Sequence, residues 1–486
     1  MTETVLDEIR RRADERPDAA AWCADLGEGR SKAGSYAELL GRVEELAAGL
    51  RDAALPEFDG EGARLGLVAP QGVDFVENAL AILAVGGCLV PIPDDTASTA
   101  QEAIAERARL HGLVRVGRDG TREVTVLPER GAVDGAGDAE FRRLRPAYLR
   151  FTSGTTHRRK GVIIGHARIL ERLAAANRGL GIGPGDRVLW LLPMAHHFVV
   201  SILLYLRYGA TILLPKGSLA RDVLAFAARE GATVFYASPY HYNLMAKDQG
   251  ETRLESVRLA ISTAEGLRAE IADRFALRFG LPLRQALGII EVGLPVIDLE
   301  DPEPGALGHP LPDYDVWLRG EDGAPVKTSD EGHTGEICIR GPGLFDAYLD
   351  PWSPARELLE PDGFRTGDQG WFDAKGRLHL AGRRSNRINM AGMKFFSEEV
   401  EAVLDQVPGV RRSRVSARSH PHLGEIPVAE LELEAGTPEL ARKELAAHCR
   451  AQLEAYKVPR EFRVVEALPL TATGKLERSP GFTEER

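Results

Sequence analysis

Hydroxyl side chains, a glycine and a lysine are gathered at 148–165, in the run YLRFTSGTTHRRKGVIIG. The hydroxyl donors are Thr152, Ser153, Thr155 and Thr156. Gly154 allows the backbone to approach an anion closely, and Lys160 adds a positive charge. The apolar run 162–164 after the lysine indicates a strand, whereas a Walker loop opens a helix. The segment predicts a phosphate-binding loop, and an ordinary polar hairpin is the alternative that it leaves open by itself.

Further segments with chemically useful side chains follow downstream. They are 192–197 (LPMAHH), 285–291 (QALGIIE), 335–341 (GEICIRG), 364–368 (FRTGD), 382–383 (GR), 392–394 (GMK) and 469–475 (PLTATGK). The glycine-arginine and glycine-glutamate pieces are weak signals individually. The interpretation therefore depends on the order of the segments along the chain.

In this order the segments resemble the motifs of the acyl-adenylate-forming superfamily, which contains acyl-CoA synthetases, peptide-synthetase adenylation domains and luciferases. The first loop is similar to the family motif Thr-Ser-Gly-Thr-Thr-Gly-x-Pro-Lys-Gly, and ordered matches extend from about residue 35 to 478. The resemblance implies that a carboxylate attacks the α-phosphorus of ATP, that pyrophosphate leaves, and that a thiol then displaces AMP. This chemistry needs alignment and charge stabilisation more than acid-base catalysis.

Length and composition fit a multidomain globular protein. The chain has 486 residues, of which 44% are apolar and 27% charged, and its formal net charge is −11. The negative charge argues against nucleic-acid and anionic-membrane partners. We expect no signal peptide, because acids lie among the arginines of 1–17, and no membrane span, because no apolar run approaches ~20 residues. Four cysteines without a disulfide pattern favour the reducing cytoplasm.

Alternating strand-like and helix-like runs predict α/β layers. Ser35 and Glu38 form a capping box before a helix, and 64–69, 73–85 and 88–92 predict a strand, a helix and a parallel strand. The alternation recurs in 188–192, 199–208, 211–214, 222–229, 233–237 and 259–261. From about residue 305, short strands such as 316–319 and 336–339 alternate with glycine and proline turns, which predicts a β-rich part.

We expect an α/β fold with a large N-terminal adenylation domain at 1–384, whose β-rich part covers about 305–384, and a small α+β domain at 385–486. In the small domain, Ser397 is predicted to cap a helix with Glu398 and Glu399 in its first turn. A strand at 427–433 and a helix at about 439–453 follow. The resemblance implies that this domain is mobile and rotates between the two half-reactions, with Ser385 near the hinge.

The resemblance also implies roles for individual residues. The catalytic residues would be Lys475, which bridges the carboxylate and the α-phosphate, together with His196 and Glu291. Glu291 would also bind Mg²⁺, which prefers carboxylate and phosphate oxygens. The implied contacts to ATP and CoA are Thr152, Ser153, Gly154, Thr155, Thr156, Lys160, Leu287, Gly288, Ile290, Asp368, Arg383, Gly392 and Lys394. Within this set the loop would hold the β- and γ-phosphates, Asp368 the ribose with Arg383 near it, and Gly392 would leave room for a pantetheine arm.

Family position also suggests which acid is activated. Amino-acid-activating relatives carry an aspartate where this chain has His196, and a histidine there resembles acyl- and aryl-CoA synthetases. We therefore expect a carboxylic acid without an α-amine, with a packed or capping histidine as the alternative. The acyl pocket implied by the resemblance consists of His197, Val200, Tyr236, Tyr240, Gly288 and Gly293. This mixture of glycine and aromatic residues favours a bulky or ring-bearing acid.

The chain departs from the family pattern at several positions. His157 and Arg159 replace the usual glycine and proline of the loop, Leu287 an aromatic residue near adenine, and Ile290 a threonine that contacts the adenylate phosphate. Loss of one hydrogen bond and of stacking costs about 1 to 3 kcal/mol, so weak nucleotide affinity is expected unless the basic loop compensates.

The thiol acceptor is less strongly specified. Only 20 residues separate Gly343 from Phe364, which leaves no room for the insertion that obstructs CoA transfer in fatty acyl-AMP ligases. CoA is therefore favoured over an acyl carrier protein, although both present the same pantetheine thiol. A nucleotide-binding relative without catalytic activity is the third hypothesis, against which the presence of Glu291, Asp368 and Lys475 argues. The sequence predicts no oligomeric state.

Overall fold

The computed structural model describes residues 3–53, 63–127, 136–152, 160–330, 333–359, 363–391, 393–438, 440–470 and 476–477. In this part of the chain the helices are α1 Val5–Glu15, α2 Tyr36–Asp52, α3 Val73–Ala84, α4 Ser98–Arg107, α5 Ala136–Arg143, α6 His166–Leu180, α7 Met194–His197, α8 Ile202–Arg207, α9 Ala220–Arg229, α10 Pro239–Lys247, α11 Ala269–Phe279, α12 Ala355–Leu359, α13 Ser397–Leu404 and α14 Arg442–Gln452.

The strands of the described residues are β1 Ala20–Gly27, β2 Arg30–Ser35, β3 Arg64–Val68, β4 Cys88–Ile92, β5 Gly112–Val116, β6 Arg122–Val126, β7 Pro146–Phe151, β8 Gly161–Gly165, β9 Arg187–Trp190, β10 Thr211–Leu214, β11 Val234–Ala237, β12 Leu259–Ser262, β13 Leu283–Ile289, β14 Gly293–Ile297, β15 Ala306–Pro310, β16 Asp315–Arg319, β17 Gly335–Arg340, β18 Ala347–Tyr348, β19 Ser353–Pro354, β20 Phe364–Phe372, β21 Leu378–Arg383, β22 Arg387–Met390, β23 Met393–Phe396, β24 Val410–His420, β25 Gly424–Leu433 and β26 Glu461–Val465.

The described residues divide into two compact units. The first unit contains the residues up to Thr152, Lys160–Asp315 and Ile339–Phe364, and the second contains Val316–Cys338 and the residues from Arg365 onward. The expected α/β fold class, with a large N-terminal domain and a C-terminal domain, is confirmed. The boundary expected near residue 384 and the mobility of the small domain stay predictions.

Two sheets organise the first unit. In one of them the strands follow the order β15-β14-β13-β12-β11-β9-β10-β1-β2, and the pairs from β13 to β1 are parallel. In the other the order is β19-β18-β8-β7-β4-β3-β5-β6, with β4, β3 and β5 parallel and β7 antiparallel to β8. The parallel pairing of β3 and β4 across α3 confirms the predicted crossover. Parallel strands connected by helices bury both faces of a sheet, which explains their nearly unbroken apolar runs.

Apolar cores lie against both sheets. The cluster against the first sheet includes Leu189, Leu224, Phe226, Phe235, Tyr242 and Phe275, all fully buried. The cluster against the second includes Val90, Ile92, Leu149, Ile163 and Ala347. The middle residues of β7 and β8 belong to this core, so the hairpin that carries the proposed phosphate loop is anchored at its base.

The second unit contains β16, β17, β20 and β21, adjacent in that order, and a sheet with the order β23-β22-β25-β24 in which β26 pairs with β25. Helices α13 and α14 pack on this sheet through a core of Val400, Leu404, Val415, Leu431, Leu445 and Cys449. None of the helices in the described ranges combines the length and the apolar character that a bilayer crossing requires.

Two local predictions differ from the structure. The helix expected at 199–208 is divided at Ser201, whose φ of −144° is not helical, into a 3₁₀ turn at Phe198–Val200 and α8. The cap of α13 is Phe396 and not Ser397, because the Phe396 N–H donates to Glu399 Oε1 at 2.8 Å while Ser397 is already helical. The capping box of Ser35 and Glu38 at the start of α2 is confirmed.

Candidate active site

The β7–β8 hairpin carries the predicted phosphate loop. Thr152 and Lys160 close the loop, because the Thr152 N–H donates to the Lys160 carbonyl at 2.9 Å and the Lys160 N–H donates to Thr152 Oγ1 at 3.4 Å. The residues between them, 153–159, lie outside the described residues. The roles of Ser153, Gly154, Thr155 and Thr156 therefore stay predictions, as do the effects of His157 and Arg159.

Lys160, Tyr348 and Glu291 form a chain of contacts next to this loop. The Lys160 ammonium lies 4.5 Å from the centre of the Tyr348 ring. The Tyr348 hydroxyl donates a hydrogen bond of 3.1 Å to Glu291 Oε1. Tyr348 belongs to β18, which pairs with β8, whereas Glu291 lies in the turn between β13 and β14. The two sheets thus bring a cation and a carboxylate together at the end of the β7–β8 hairpin.

Opposing electrostatic effects act on the pKa of the Glu291 carboxyl group. The residue is only 9% exposed, and burial raises the pKa of its carboxyl group. The Tyr348 hydrogen bond and the positive charges of Lys160 and Arg150 act in the opposite direction on this pKa. Burial also raises the pKa of the Tyr348 hydroxyl, as does the charge of Glu291, so Tyr348 remains the hydrogen-bond donor.

A buried arginine holds the turn that contains Glu291. Arg172 of α6 is 1% exposed, and its Nη1 donates to the Ile290 carbonyl at 2.9 Å while its Nε donates to the Gly343 carbonyl at 2.9 Å. Burial lowers its pKa to about 10, so the guanidinium is charged at neutral pH. Gly343 has a φ of +70°, and a β-carbon on it would approach the Arg172 backbone N to 2.6 Å. Arg172 therefore fixes the turn to the segment that precedes β18.

Helix α7 lies next to β7 and contains His196. The Tyr148 hydroxyl donates to the Ala195 carbonyl at 3.2 Å, and Arg150 Nη1 donates to the His196 carbonyl. Both ring nitrogens of His196 are buried and have no hydrogen-bond partner among the described residues. Burial, and secondarily the charge of Arg150, lowers the pKa of His196 to about 3. The imidazole is therefore neutral near pH 7, with one donor and one acceptor available.

Aromatic side chains cluster beyond α7. Trp190 stacks on Tyr236 with ring centres 5.3 Å apart, and the His197 ring lies 6.0 Å from Trp190 and 6.4 Å from Tyr236. The Tyr205 ring meets Trp190 edge-on at 6.1 Å. We refer to Trp190, His197, Tyr205 and Tyr236 as the aromatic cluster. It unites two predicted pocket residues, His197 and Tyr236.

The other residues that are predicted to contact the acyl group or adenine lie on several different elements. Val200 ends the 3₁₀ turn after α7, and Tyr240 is 55% exposed on α10. Leu287 and Gly288 belong to β13, and a β-carbon on Gly288 would lie 3.7 Å from Thr263 Oγ1. Gly293 is buried at the start of β14 with a φ of +112°. The pocket assignments of these residues stay predictions.

The predicted ribose pair lies in the second unit. Arg383 Nε is 2.9 Å from Asp368 Oδ1, and the two residues are directly opposite each other on β20 and β21. The expected proximity of Arg383 to Asp368 is thus present. Lys394 forms an ion pair of 3.0 Å with Glu321. Gly392 and Lys475 lie outside the described residues, so their roles stay predictions.

The donor set at Glu291 fits a magnesium ion that is bound mainly by substrate phosphates. Among the described residues there is no group of three or more His, Cys, Asp or Glu side chains that could hold a metal ion. A carboxylate is nevertheless a suitable ligand for Mg²⁺, which usually combines one or two carboxylates with phosphates and water.

Comparison with known proteins gives matches over most of the chain. A family model described as AMP-binding enzyme matches residues 9–349, and one described as AMP-binding enzyme C-terminal domain matches residues 399–475. Phenyloxazoline synthase MbtB of Mycolicibacterium paratuberculosis is 29% identical over 98% of this chain and 42% of its own length. Sulfoacetate–CoA ligase of Cupriavidus necator is 30% identical over 68% of this chain and 66% of its own length. The chain thus spans less than two thirds of the length of both relatives.

Solved structures share the fold. One is the o-succinylbenzoate CoA synthetase MenE of Bacillus subtilis in complex with its acyl-adenylate intermediate, which is similar with a TM-score of 0.82. The match covers 98% of both chains at 23% sequence identity. At this level of identity the similarity concerns the fold alone.

Proposed function

The chain belongs to the acyl-adenylate-forming superfamily of AMP-binding enzymes, and from this we propose that it activates a carboxylic acid with ATP and transfers the acyl group to the thiol of CoA. The acid lacks an α-amine, and the products are acyl-CoA, AMP and pyrophosphate. The contact between Tyr348 and Glu291 beneath Lys160 is the observation that carries this proposal, because it places a buried carboxylate and a cation next to the predicted phosphate loop.

Charged groups of the first unit support a role in phosphate binding. Lys160 is tethered by its backbone to Thr152 and supplies positive charge for the β- and γ-phosphates. Burial raises the pKa of Glu291, but the charges of Lys160 and Arg150 lower it. Its carboxylate supplies an oxygen for Mg²⁺, which neutralises phosphate charge when it is bound. Arg172 holds this carboxylate in place through the Ile290 carbonyl, so little reorganisation is needed during the reaction.

The neutral state of His196 supports an acid without an α-amine. An α-ammonium group needs a carboxylate partner, and an imidazole that burial keeps uncharged cannot provide one. In the second unit, Asp368 forms an ion pair with Arg383, and its carboxylate is suited to accept hydrogen bonds from ribose hydroxyls. Lys475, by resemblance, bridges the carboxylate and the α-phosphate, and the small domain then rotates to admit the thiol at Gly392. The site of this chemistry is proposed to be the cytoplasm.

CoA is the proposed acceptor because the chain is similar to a protein named as a CoA ligase. A phosphopantetheine carrier protein is the alternative acceptor, because it presents the same pantetheine thiol as CoA.

A product assay tests the proposal. The protein is incubated with ATP, Mg²⁺ and a diverse panel of carboxylic acids, with either CoA or a pantetheinylated carrier protein, and thioesters and AMP are measured. We expect acyl-CoA and AMP in equal amounts for at least one acid. Thioester on the carrier alone would establish the alternative acceptor. Absence of AMP and of thioester with every acid would instead indicate a nucleotide-binding protein without catalytic activity.

A further inference from the structure

Arg150 is a partly buried cation in an otherwise apolar strand. It lies on β7, whose first four residues are fully buried, and its Nε is buried without a hydrogen-bond partner among the described residues. Its partners are neutral, namely the His196 carbonyl and the Tyr148 hydroxyl, whereas Glu291 acts on it only through its charge. A guanidinium nitrogen that is buried without a hydrogen bond is costly, so an anion from outside the chain that accepts from Arg150 would stabilise it.

His196 adds two further nitrogens that have no hydrogen-bond partner in the described part of the chain. Arg150 holds the backbone of His196, and both imidazole nitrogens are buried without a partner among the described residues. A guanidinium and a neutral imidazole donor together match the oxygens of a carboxylate or sulfonate, since charge-assisted hydrogen bonds are strong and Arg binds such groups in a planar geometry. Two neighbouring residues thus have buried nitrogens without a hydrogen-bond partner among the described residues, and together they could bind an anion.

Helix α7 connects this pair to the aromatic cluster. His197, the neighbour of His196, contacts Trp190 and Tyr236 edge-on. We propose that Arg150 and His196 recognise a second anionic group on the carboxylic acid, so that the substrate is an acid that carries an additional carboxylate or sulfonate. This inference rests on the proposed function, because it specifies the acid that the same site activates.

The second anionic group fits Arg150 better than the reacting carboxylate does. The reacting carboxylate loses its charge when it becomes a mixed anhydride, so a permanent cation that bound it tightly would stabilise the ground state and oppose the reaction. A group that does not react keeps its charge through both half-reactions. An acid without this group leaves Arg150 unpaired, and sites with buried polar groups reject such analogues strongly.

Matched pairs of acids test the inference. ATP–pyrophosphate exchange is measured for succinate against succinamate and for sulfoacetate against methylsulfonylacetate, with the wild type, Arg150→Gln and Arg150→Lys. The wild type should prefer the anionic member of at least one pair by about 10- to 100-fold in kcat/KM. Arg150→Gln should lose this preference by reducing kcat/KM for the anionic member alone, and Arg150→Lys should retain part of it. Arg118→Gln, which changes an exposed arginine, is the matched control and should keep the preference of the wild type.

Each outcome decides the matter. Equal losses for both members in Arg150→Gln would show that Arg150 only supports the His196 carbonyl and would overturn the inference. A wild-type preference for neutral acids would overturn it as well, and this result needs no variant to fold. Exchange with monocarboxylic acids such as benzoate or hexanoate but with no dianionic acid would leave the proposed function standing while refuting its anionic substrate. Absence of exchange with every acid would remove the proposed function and the inference together.

Discussion

The hydroxyl of Tyr348 donates a 3.1 Å hydrogen bond to the buried carboxylate of Glu291, 57 residues away in the sequence. Tyr348 also lies under the Lys160 ammonium, 4.5 Å from it. One aromatic residue thus connects the proposed metal ligand to the lysine of the predicted phosphate loop. The arrangement predicts that Glu291 acts as an anion whose position depends on its neighbours.

Replacement of Glu291 by Gln should remove the charge while it keeps the shape and an acceptor for the Tyr348 hydroxyl. We expect ATP–pyrophosphate exchange to fall about 100-fold or more with little change in thermal stability, because the variant loses stabilisation of phosphate charge. Tyr348→Phe is the comparison, since it keeps the ring beneath Lys160 and should lose only about tenfold. Wild-type exchange by Glu291→Gln would show that its carboxylate has no role in the reaction.

The pH dependence of stability should reflect buried neutral histidines. Burial lowers the pKa of His166 to about 4, and its Nδ1 accepts a hydrogen bond from the Val5 N–H. Below about pH 6.5 the unfolded chain binds a proton that the folded chain does not, so the free energy of unfolding decreases as the pH falls from about 6.5 to 4.

Urea denaturation at several pH values measures this effect. His166→Asn should reduce the slope by about 1.4 kcal/mol per pH unit within that range. His241→Asn should act in the same direction, because burial lowers the pKa of His241 to about 4 as well. If the free energy of unfolding changes with pH by the same slope in the wild type and both variants, His166 and His241 do not cause this pH dependence.

Gly343→Ala should destabilise the protein more than Gly181→Ala. Both glycines have positive φ, +70° and +58°, so both substitutions strain the backbone. Only at Gly343 does the added carbon collide, at 2.5 Å from Arg172 Cβ, whereas nothing lies within 4 Å of it at Gly181. We expect about 1 kcal/mol for Gly181→Ala and about 2 to 4 kcal/mol for Gly343→Ala in thermal denaturation. Equal losses of stability in the two variants would mean that Arg172 moves away from the added carbon at little energetic cost.

Lys475→Ala should separate the two half-reactions. By resemblance this lysine stabilises charge only during adenylation, so the variant should lose exchange but convert a supplied acyl-adenylate to acyl-CoA at nearly the wild-type rate. Measurement of both rates in one preparation controls for folding. Equal loss in both reactions would give Lys475 a different role.

Some secondary-structure elements agree with the predictions made from local sequence patterns. The strand expected at 211–214 is β10 Thr211–Leu214, and the capping box of Ser35 starts α2. The alternation of strand-like and helix-like runs predicts one continuous helix at 199–208. The alternation does not reveal the break at Ser201, whose hydroxyl donates to the His197 carbonyl.

Long-range partners were harder to predict. Family motifs predict roles for Lys160 and Glu291, but they do not point to Tyr348 or Arg172, whose contacts depend on how separate strands and helices meet. Arg172 is 118 residues from the carbonyl of Ile290 that it binds, and nothing in the local sequence indicates this contact. Arg150 did have a local signal, since a charged residue interrupts the apolar strand YLRF. A charged side chain in an otherwise apolar strand therefore indicates a possible ligand contact.

Acid-dependent ATP–pyrophosphate exchange tests the central claim most directly, because it reports carboxylate adenylation without any thiol. The wild-type protein is assayed with ATP, Mg²⁺ and labelled pyrophosphate, with and without each acid of a panel that includes dicarboxylic, sulfonated, aromatic and aliphatic members. We predict exchange that requires an added acid and disappears in Glu291→Gln. Exchange that is absent with every acid, or that does not depend on an added acid, would contradict the proposal that this chain activates carboxylates.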